Sequence, residues 1–484
     1  MQRLSPKKIR TSYRTILVVL LALAASLQAA TDNWQREEVD WQAGSGRRIK
    51  GIYYPKDRPL LRQAERASQP KTSAIEGKRT LSAVATRAIA DEMLVESPPV
   101  DGFVPWVAVS ITTRRSAELE LEASVETSVR GALPSGVDPE TDYIIGLLDT
   151  GASAHVMGYA DGTRAGVYRG LITDSETIVS GVTGSVVASV TQPLGIFVDG
   201  LSAIDPNTLV LDRSAMMGES NVAIMVGQDP GPFPDLPTAI GTPLSVYYTT
   251  LYRNDNALTI ERDGRTFTAP DISLYETDDP QAPRFANVIP LELRPLGGIS
   301  VQYIPTLDMG LGGGDLDDIL GGDFNFGSDF PPASPSVIIG NSSQSLFFVH
   351  SVDLHEGDKS AMDKDRFMLD TGAQVTVVGT RIAARLQLDP ANPEFEVEIE
   401  GVTGDVTMAP GYTVDALDIP ALGQWFQARQ VPVVLLDISS PEGGTLDGII
   451  GMNLFVDFNL IVRGGGLFLQ EDPKLELQRI PTNP

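Results

Sequence analysis

An all-β protein built from two similar halves is the architecture that three features of this 484-residue chain predict. From Val104 onward, short β-branched runs alternate with Gly, Pro, Asp and Asn almost to the end, and long amphipathic helical patterns are scarce. Three landmarks recur in the same order in the two halves, at a separation far too large for a solenoid unit. The length exceeds one typical hydrophobic core, so two domains plus extensions are expected. A hydrophobic content of 42% with 21% charged residues suits a globular chain and argues against wholesale disorder.

Taken in chain order, the start has the layout of an export signal over residues 1–30. Lys7, Lys8, Arg10 and Arg14 precede an apolar run from Ile16 to Ala25, and small residues follow at Ala29 and Ala30. The run is short for a membrane span, so cleavage is expected, with an uncleaved anchor as the alternative. A secreted or periplasmic protein without a stable span after cleavage is the expectation. Residues 31–98 form a polar extension without clear strand alternation, with basic clusters at Arg47-Arg48-Lys50 and Lys78-Arg79. Ser82–Val95 has helical spacing.

Charge is unevenly spread. Residues 1–90 hold 17 Lys and Arg against 7 Asp and Glu, leaving 20 against 56 in the remainder of a chain whose net charge is -26. The acidic body argues against nucleic-acid binding. The basic extension reads either as an inhibitory prosegment held on that body by charge or as a flexible spacer. Absence of cysteine excludes disulfides, thiolate metal sites and a cysteine nucleophile. The three histidines, His155, His350 and His355, offer little to a histidine zinc site or a serine triad.

The strand-rich body divides into residues 99–308 and 336–484. Its runs include Val107–Thr112, Ser185–Val190 and Val431–Leu436. Between the halves, residues 309–335 are rich in Gly, Asp and Pro and read as an exposed linker. Gly312-Gly313 and Gly321-Gly322 partly match a calcium-binding nonapeptide, but Phe324 and Phe326 break the second copy, and so few copies cannot stack.

The repeat carries the chemistry. In the first half Ile144-Ile-Gly-Leu-Leu-Asp149-Thr150-Gly151-Ala152 leads to Gly181-Val182-Thr183-Gly184 and then Ala239-Ile240-Gly241. In the second, Phe367-Met-Leu-Asp370-Thr371-Gly372-Ala373 leads to Gly401-Val402-Thr403-Gly404 and then Ile449-Ile450-Gly451. The step from Asp to the GVTG segment is almost the same in the two halves, Asp149 to Gly181 and Asp370 to Gly401. The step to the closing Gly is similar, Asp149 to Gly241 and Asp370 to Gly451.

These residues resemble the aspartic peptidases, both pepsin-like and retropepsin-like, over about residues 100–465. The likeness is strongest at the two Asp-Thr-Gly triplets. It implies two similar β-barrel lobes with an active-site cleft between them, and Asp149 and Asp370 as the catalytic pair. Two carboxyls held close together cannot both ionise, so they share a proton; one activates a water while the other hydrogen-bonds the substrate carbonyl. Such a dyad requires neither metal nor cofactor, and none is expected. Gly151 and Gly372 let the two loops approach, since a Cβ there would hold them apart. The resemblance further implies that Thr150 and Thr371 tie the loops by hydroxyl hydrogen bonds. Gly241 and Gly451 look like close-approach positions in the strands flanking each loop.

The two GVTG segments read as flap hairpins over a bound peptide strand or as ordinary turns. Pepsin-like enzymes have one flap with a tyrosine, and no Tyr lies near Gly181–Gly184, so paired flaps lean toward the retropepsin pattern. Ala152 and Ala373 stand where pepsin-like enzymes carry Ser or Thr. Without that hydroxyl on the charged form, a mildly acidic optimum is expected. The implied partner is a polypeptide substrate, and the implied enzyme a monomeric aspartic endopeptidase. Two alternatives stay open: a catalytically silent peptide-binding protein of the same fold, and a calcium-binding surface protein.

Overall fold

The structure, a computed structural model, describes residues 34–37, 47–55, 93–112, 130–132, 142–168, 170–180, 185–192, 194–230, 235–277, 279–295, 302–303, 337–338, 345–401, 406–439, 445–465 and 471–481. Strands dominate, and the described chain is all-β with short helices at Tyr159–Arg164, Thr242–Ser245 and Thr380–Leu386. A 10-stranded sheet takes the strands from Trp106–Thr112 to Ala239–Ile240. A 17-stranded sheet takes those from Tyr248–Arg262 to Asn287–Pro295, those from Ser345–Val349 onward, and three N-terminal strands.

The repeat seen in the sequence is a repeat of topology. Ile144–Leu148 runs antiparallel to Trp106–Thr112 and parallel to Ala239–Ile240. Phe367–Leu369 likewise runs antiparallel to Ser345–Val349 and parallel to Gly448–Ile450. Trp106–Thr112, flanked on its other edge by Leu194–Gly200, is buried along its whole length because both of its faces are covered: Val107, Val109 and Ile111 enter one apolar cluster and Trp106 and Ala108 another. One apolar cluster joins Val107, Leu148, Ile240 and Tyr252 to Leu369, Ile450 and Leu460.

The sheet holding the second half also holds the hairpin Tyr248–Arg262/Arg265–Glu276. Its turn, Asp263-Gly264, has positive φ at both residues (53° and 72°), the geometry a two-residue primed turn needs and Asp-Gly supplies. Tyr248–Arg262 pairs antiparallel with Phe458–Arg463, Tyr252 opposite Leu460. At that seam Arg463 and Glu476 form an ion pair of 2.6 Å with side chains 2% and 4% exposed. Arg463 also donates to Thr249 Oγ1 (3.1 Å), and Glu476 accepts from Phe285 N (2.8 Å). A charge pair so deeply buried is tolerable only when its remaining donors and acceptors are satisfied in this way.

Two expectations about the N-terminal extension need correction. Trp34–Glu37 and Arg47–Pro55 are strands, paired with each other, and Arg47–Pro55 pairs in turn with Phe395–Gly401. Strand formation depends on the edge available as much as on composition, and that edge belongs to the opposite half of the chain. The helical spacing of Ser82–Val95 also fails at its end: Leu94–Glu96 is a strand parallel to Gln424–Leu435, with Met93 and Val95 buried. Residues 82–92, the signal segment 1–30 and the linker 309–335 with its paired glycines lie outside the described residues. Among the described residues no helix is long and apolar enough to cross a membrane.

Candidate active site

Each Asp-Thr-Gly triplet follows directly on a buried strand, and its loop is pinned by the apolar-apolar-Gly element. Asp149 N–H donates to Ile240 O (2.9 Å) and Asp370 N–H to Ile450 O (3.2 Å). Thr242 N–H donates to Ala152 O and Met452 N–H to Ala373 O, both at 2.8 Å. Gly241 and Gly451 stand one residue past their strands, as N-caps of Thr242–Ser245 and of the one-turn helix Met452–Phe455, and not within the strands as the sequence suggested. The close approach is nonetheless real. A Cβ on Gly241 would lie 2.5 Å from Ala152 O, and one on Gly451 2.5 Å from Val375 O.

The two loops meet in a reciprocal lock. Thr150 N–H donates to Thr371 Oγ1 and Thr371 N–H to Thr150 Oγ1, both at 3.0 Å. Each hydroxyl then donates across to the strand before the other triplet, Thr150 Oγ1 to Leu369 O (2.9 Å) and Thr371 Oγ1 to Leu148 O (2.7 Å). Both threonines are fully buried, so these four bonds act without competition from water. The lock places each carboxyl against the opposite glycine. A Cβ on Gly151 would sit 2.3 Å from Asp370 Cγ, and one on Gly372 2.6 Å from Asp149 Cγ. Neither glycine has positive φ, so the requirement for glycine is steric.

The pair is not symmetric. Asp370 is 2% exposed, whereas Asp149 is half-buried and accepts Gly151 N–H at Oδ1 (2.7 Å), a bond that stabilises a carboxylate. Beneath Thr371 lies Tyr252, fully buried; burial drives its ionisation far above the usual tyrosine range, and the charge of Asp149 adds to the rise. Its register partner in the other half is Leu460, so the apolar floor under the loops carries a hydroxyl on one side only.

Several supporting residues escape a reading by motif. The sixth residue after each Asp is His155 or Thr376. His155 Nδ1 accepts Gly241 N–H (3.1 Å), so the ring proton sits on Nε2, which donates to the buried Glu219 (2.7 Å). Thr376 Oγ1 accepts Gly451 N–H (3.3 Å) and donates to Asn453 Oδ1 (2.8 Å). Three residues further on, Gly158 and Gly379 cap short helices, and an aspartate from a distant segment holds each helix start. Asp235 accepts Tyr159 N–H and Ala160 N–H (2.7 Å each), and Asp437 accepts Thr380 N–H (2.8 Å). Extending the repeat past Ala152 and Ala373 to these glycines would have found the first two positions. The two aspartates are harder to find, because the step from Asp149 to Asp235 is clearly longer than that from Asp370 to Asp437.

Gly181, Val182, Thr183, Gly184, Val402, Thr403 and Gly404 lie outside the described residues, and Gly401 is the last residue of its strand. The strands on either side pair antiparallel in both halves, Ser180 opposite Ser185 and Glu400 opposite Val406. A cavity of about 410 Å³ is lined by Phe103, Trp106, Asn254, Val456 and Gln374 among others. It borders the end of the Asp370 loop but neither carboxyl. Among the described residues no group of three or more His, Asp or Glu side chains is placed to hold a metal ion.

Residues 358–454 match the aspartyl protease family model. The matched stretch runs from before Asp370-Thr-Gly through the GVTG segment to Ile449-Ile450-Gly451, so it contains all three landmarks of the second half. No curated protein matches the chain.

Proposed function

We propose that the chain is an aspartic endopeptidase whose working pair is Asp149 and Asp370, carried by two similar lobes with the substrate cleft between them. The observation that carries this reading is the reciprocal Thr150–Thr371 lock, which sets each carboxyl against the other loop's glycine. Nothing in a structural turn calls for that arrangement twice. The pair shares one proton. A water held between the carboxyls loses a proton to the ionised one as its oxygen attacks the peptide carbonyl carbon, while the protonated one donates to the carbonyl oxygen. Collapse of the resulting gem-diol breaks the C–N bond: the departing amine takes up a proton from the protonated carboxyl while a gem-diol hydroxyl gives one to the ionised carboxyl, so the pair again holds one proton. The bond from Gly151 N–H favours charge on Asp149 at the start of the cycle.

Because both halves of the lock belong to one chain, the enzyme works as a monomer. The two GVTG segments, flanked by paired strands, serve as flaps over an extended substrate. The basic-apolar start directs export, which puts the enzyme outside the cytoplasm. The test is cleavage of an unstructured protein between pH 3 and 7, comparing wild type with Asp149→Asn and Asp370→Asn. Each substitution is expected to abolish turnover while leaving the melting temperature within a few degrees. A wild type that binds peptides without cutting them would instead make it a silent binding protein of the same fold.

A further inference from the structure

Two segments of the N-terminal extension, Trp34–Glu37 and Arg47–Pro55, are strands. Arg47–Pro55 lies antiparallel along the outer edge of Phe395–Gly401, whose other edge pairs with Val406–Ala421. Trp34–Glu37 covers the far side of Arg47–Pro55. Were Arg47–Pro55 to leave, Phe395–Gly401 would present a row of unpaired backbone donors and acceptors, the usual template for strand addition.

The two strands match at three of their six paired positions. Phe395–Gly401 reads F-E-V-E-I-E-G, with Glu396, Glu398 and Glu400 alternating with apolar residues. Arg47–Pro55 reads R-R-I-K-G-I-Y-Y-P. In register, Arg48 stands opposite Glu400, Ile49 opposite Ile399 and Ile52 opposite Val397, while Arg47 faces Gly401 and Tyr53 faces Glu396; Lys50 falls in the register shift just before Gly51, which pairs with Glu398. The one opposition of unlike charges, Arg48 with Glu400, and the two apolar oppositions favour this register over a slipped one.

The acceptor strand is also connected to the candidate site. Phe395, Val397 and Ile399 share an apolar cluster with Val375, which lies five residues beyond Asp370 and whose carbonyl occupies the space that a Cβ on Gly451 would need. The strand ends at Gly401, where the second GVTG segment begins.

We infer that the outer edge of Phe395–Gly401 is a docking site for an extended basic polypeptide strand, and that residues 47–55 of this chain are its resident occupant. Charge selects the occupant and main-chain pairing holds it. The binding claim does not depend on the chain being a peptidase; only the consequence does, namely that occupancy steadies Phe395–Gly401 where it packs on Val375 beside the Asp370 loop.

The test uses the full chain in an Asp149→Asn background, so that no cutting intervenes. Three variants are compared: Arg47→Glu/Arg48→Glu/Lys50→Glu, Glu396→Lys/Glu398→Lys/Glu400→Lys, and both sets together. Two quantities are read, amide exchange over residues 395–401 and binding of a labelled peptide copying residues 47–55. In the parent, these amides are expected to be protected and the peptide excluded, because a tethered strand outcompetes a free one. Reversing the basic set should speed exchange by about tenfold or more and open the edge to the added peptide. Reversing the acidic set should speed exchange without peptide binding, and the combined variant should restore protection. Unchanged exchange in both single-sided variants would overturn the inference, since it would mean that the strand is not held there by charge. So would failure of the combined variant to recover protection while its melting temperature matches the parent.

Discussion

An alanine at position 151 probes the central geometry with a single methyl group. Its Cβ would lie 2.3 Å from Asp370 Cγ and 2.5 Å from each carboxyl oxygen, where ordinary contact begins at 3.4 Å. Something must therefore move by about 1 Å. Asp370 is buried and cannot swing into solvent, and backbone strain is not at issue because Gly151 lacks a positive φ. The displacement must open the two loops against four hydrogen bonds of 2.7–3.0 Å. A misplacement of about 1 Å at reacting groups costs roughly 100-fold in rate, equivalent to about 2.7 kcal/mol of barrier. The assay is kcat/KM on an internally quenched peptide at mildly acidic pH, alongside the melting temperature of the same sample. Gly372→Ala should lose less, because its methyl meets Asp149 at the slightly longer distance of 2.6 Å and Asp149 is less buried than Asp370. Activity within threefold of wild type for Gly151→Ala, in a folded protein, would refute the idea that the carboxyls work in the geometry described.

Thr371→Val removes the donor to Leu148 O and the acceptor of Thr150 N–H at a fully buried position. It is expected to cost about 2–4 kcal/mol in denaturant unfolding, and a loss below 1 kcal/mol would show the lock to be slack. Ala373→Ser offers the dyad a hydroxyl that this chain lacks, so the acid limb of its kcat/KM profile should move down by about one pH unit; an unchanged limb, or a wild-type optimum near pH 2, would contradict the role given to the alanines. Asp199 supplies a stability test away from the site. Burial, aided by Asp212 and Asp271 and opposed by the Gly200 N–H, raises its pKa to about 6. The folded protein thus holds a proton there that the unfolded chain releases near pH 4, so stability falls as pH rises from 4 to 6 and stays lower above. Allowing for partial exposure, the penalty is about 1–3 kcal/mol. Asp199→Asn should accordingly raise the melting temperature at pH 7 and leave it unchanged at pH 3.5; an equal gain at both would disprove the titration.

The parts of the site that come from local chemistry are legible in the sequence. The two Asp-Thr-Gly triplets, the apolar strands before them and the closing Ile-Gly elements are each contiguous, and duplication makes each copy corroborate the other. The all-β character follows from short β-branched runs broken by turn formers, and the Asp263-Gly264 turn from its dipeptide alone. The extension resists such a reading because Arg47–Pro55 has no alternation of its own to display. Its pattern acquires meaning only beside Phe395–Gly401, where Arg48 meets Glu400 and Ile49 and Ile52 meet Ile399 and Val397.

Which distant pieces meet was decided by the tertiary structure. Thr150 and Thr371 are 221 residues apart, and no spacing rule links them. The same holds for His155 with Glu219, for Asp235 and Asp437 with their helices, and for Tyr252 beneath Thr371. The physical reason is that a strand or turn is stabilised by neighbours within a few residues, whereas a buried polar group is satisfied by whatever partner the packed core brings within about 3 Å. Chain order records the first kind of interaction. Only the closed core, with its water expelled and its donors counted, records the second.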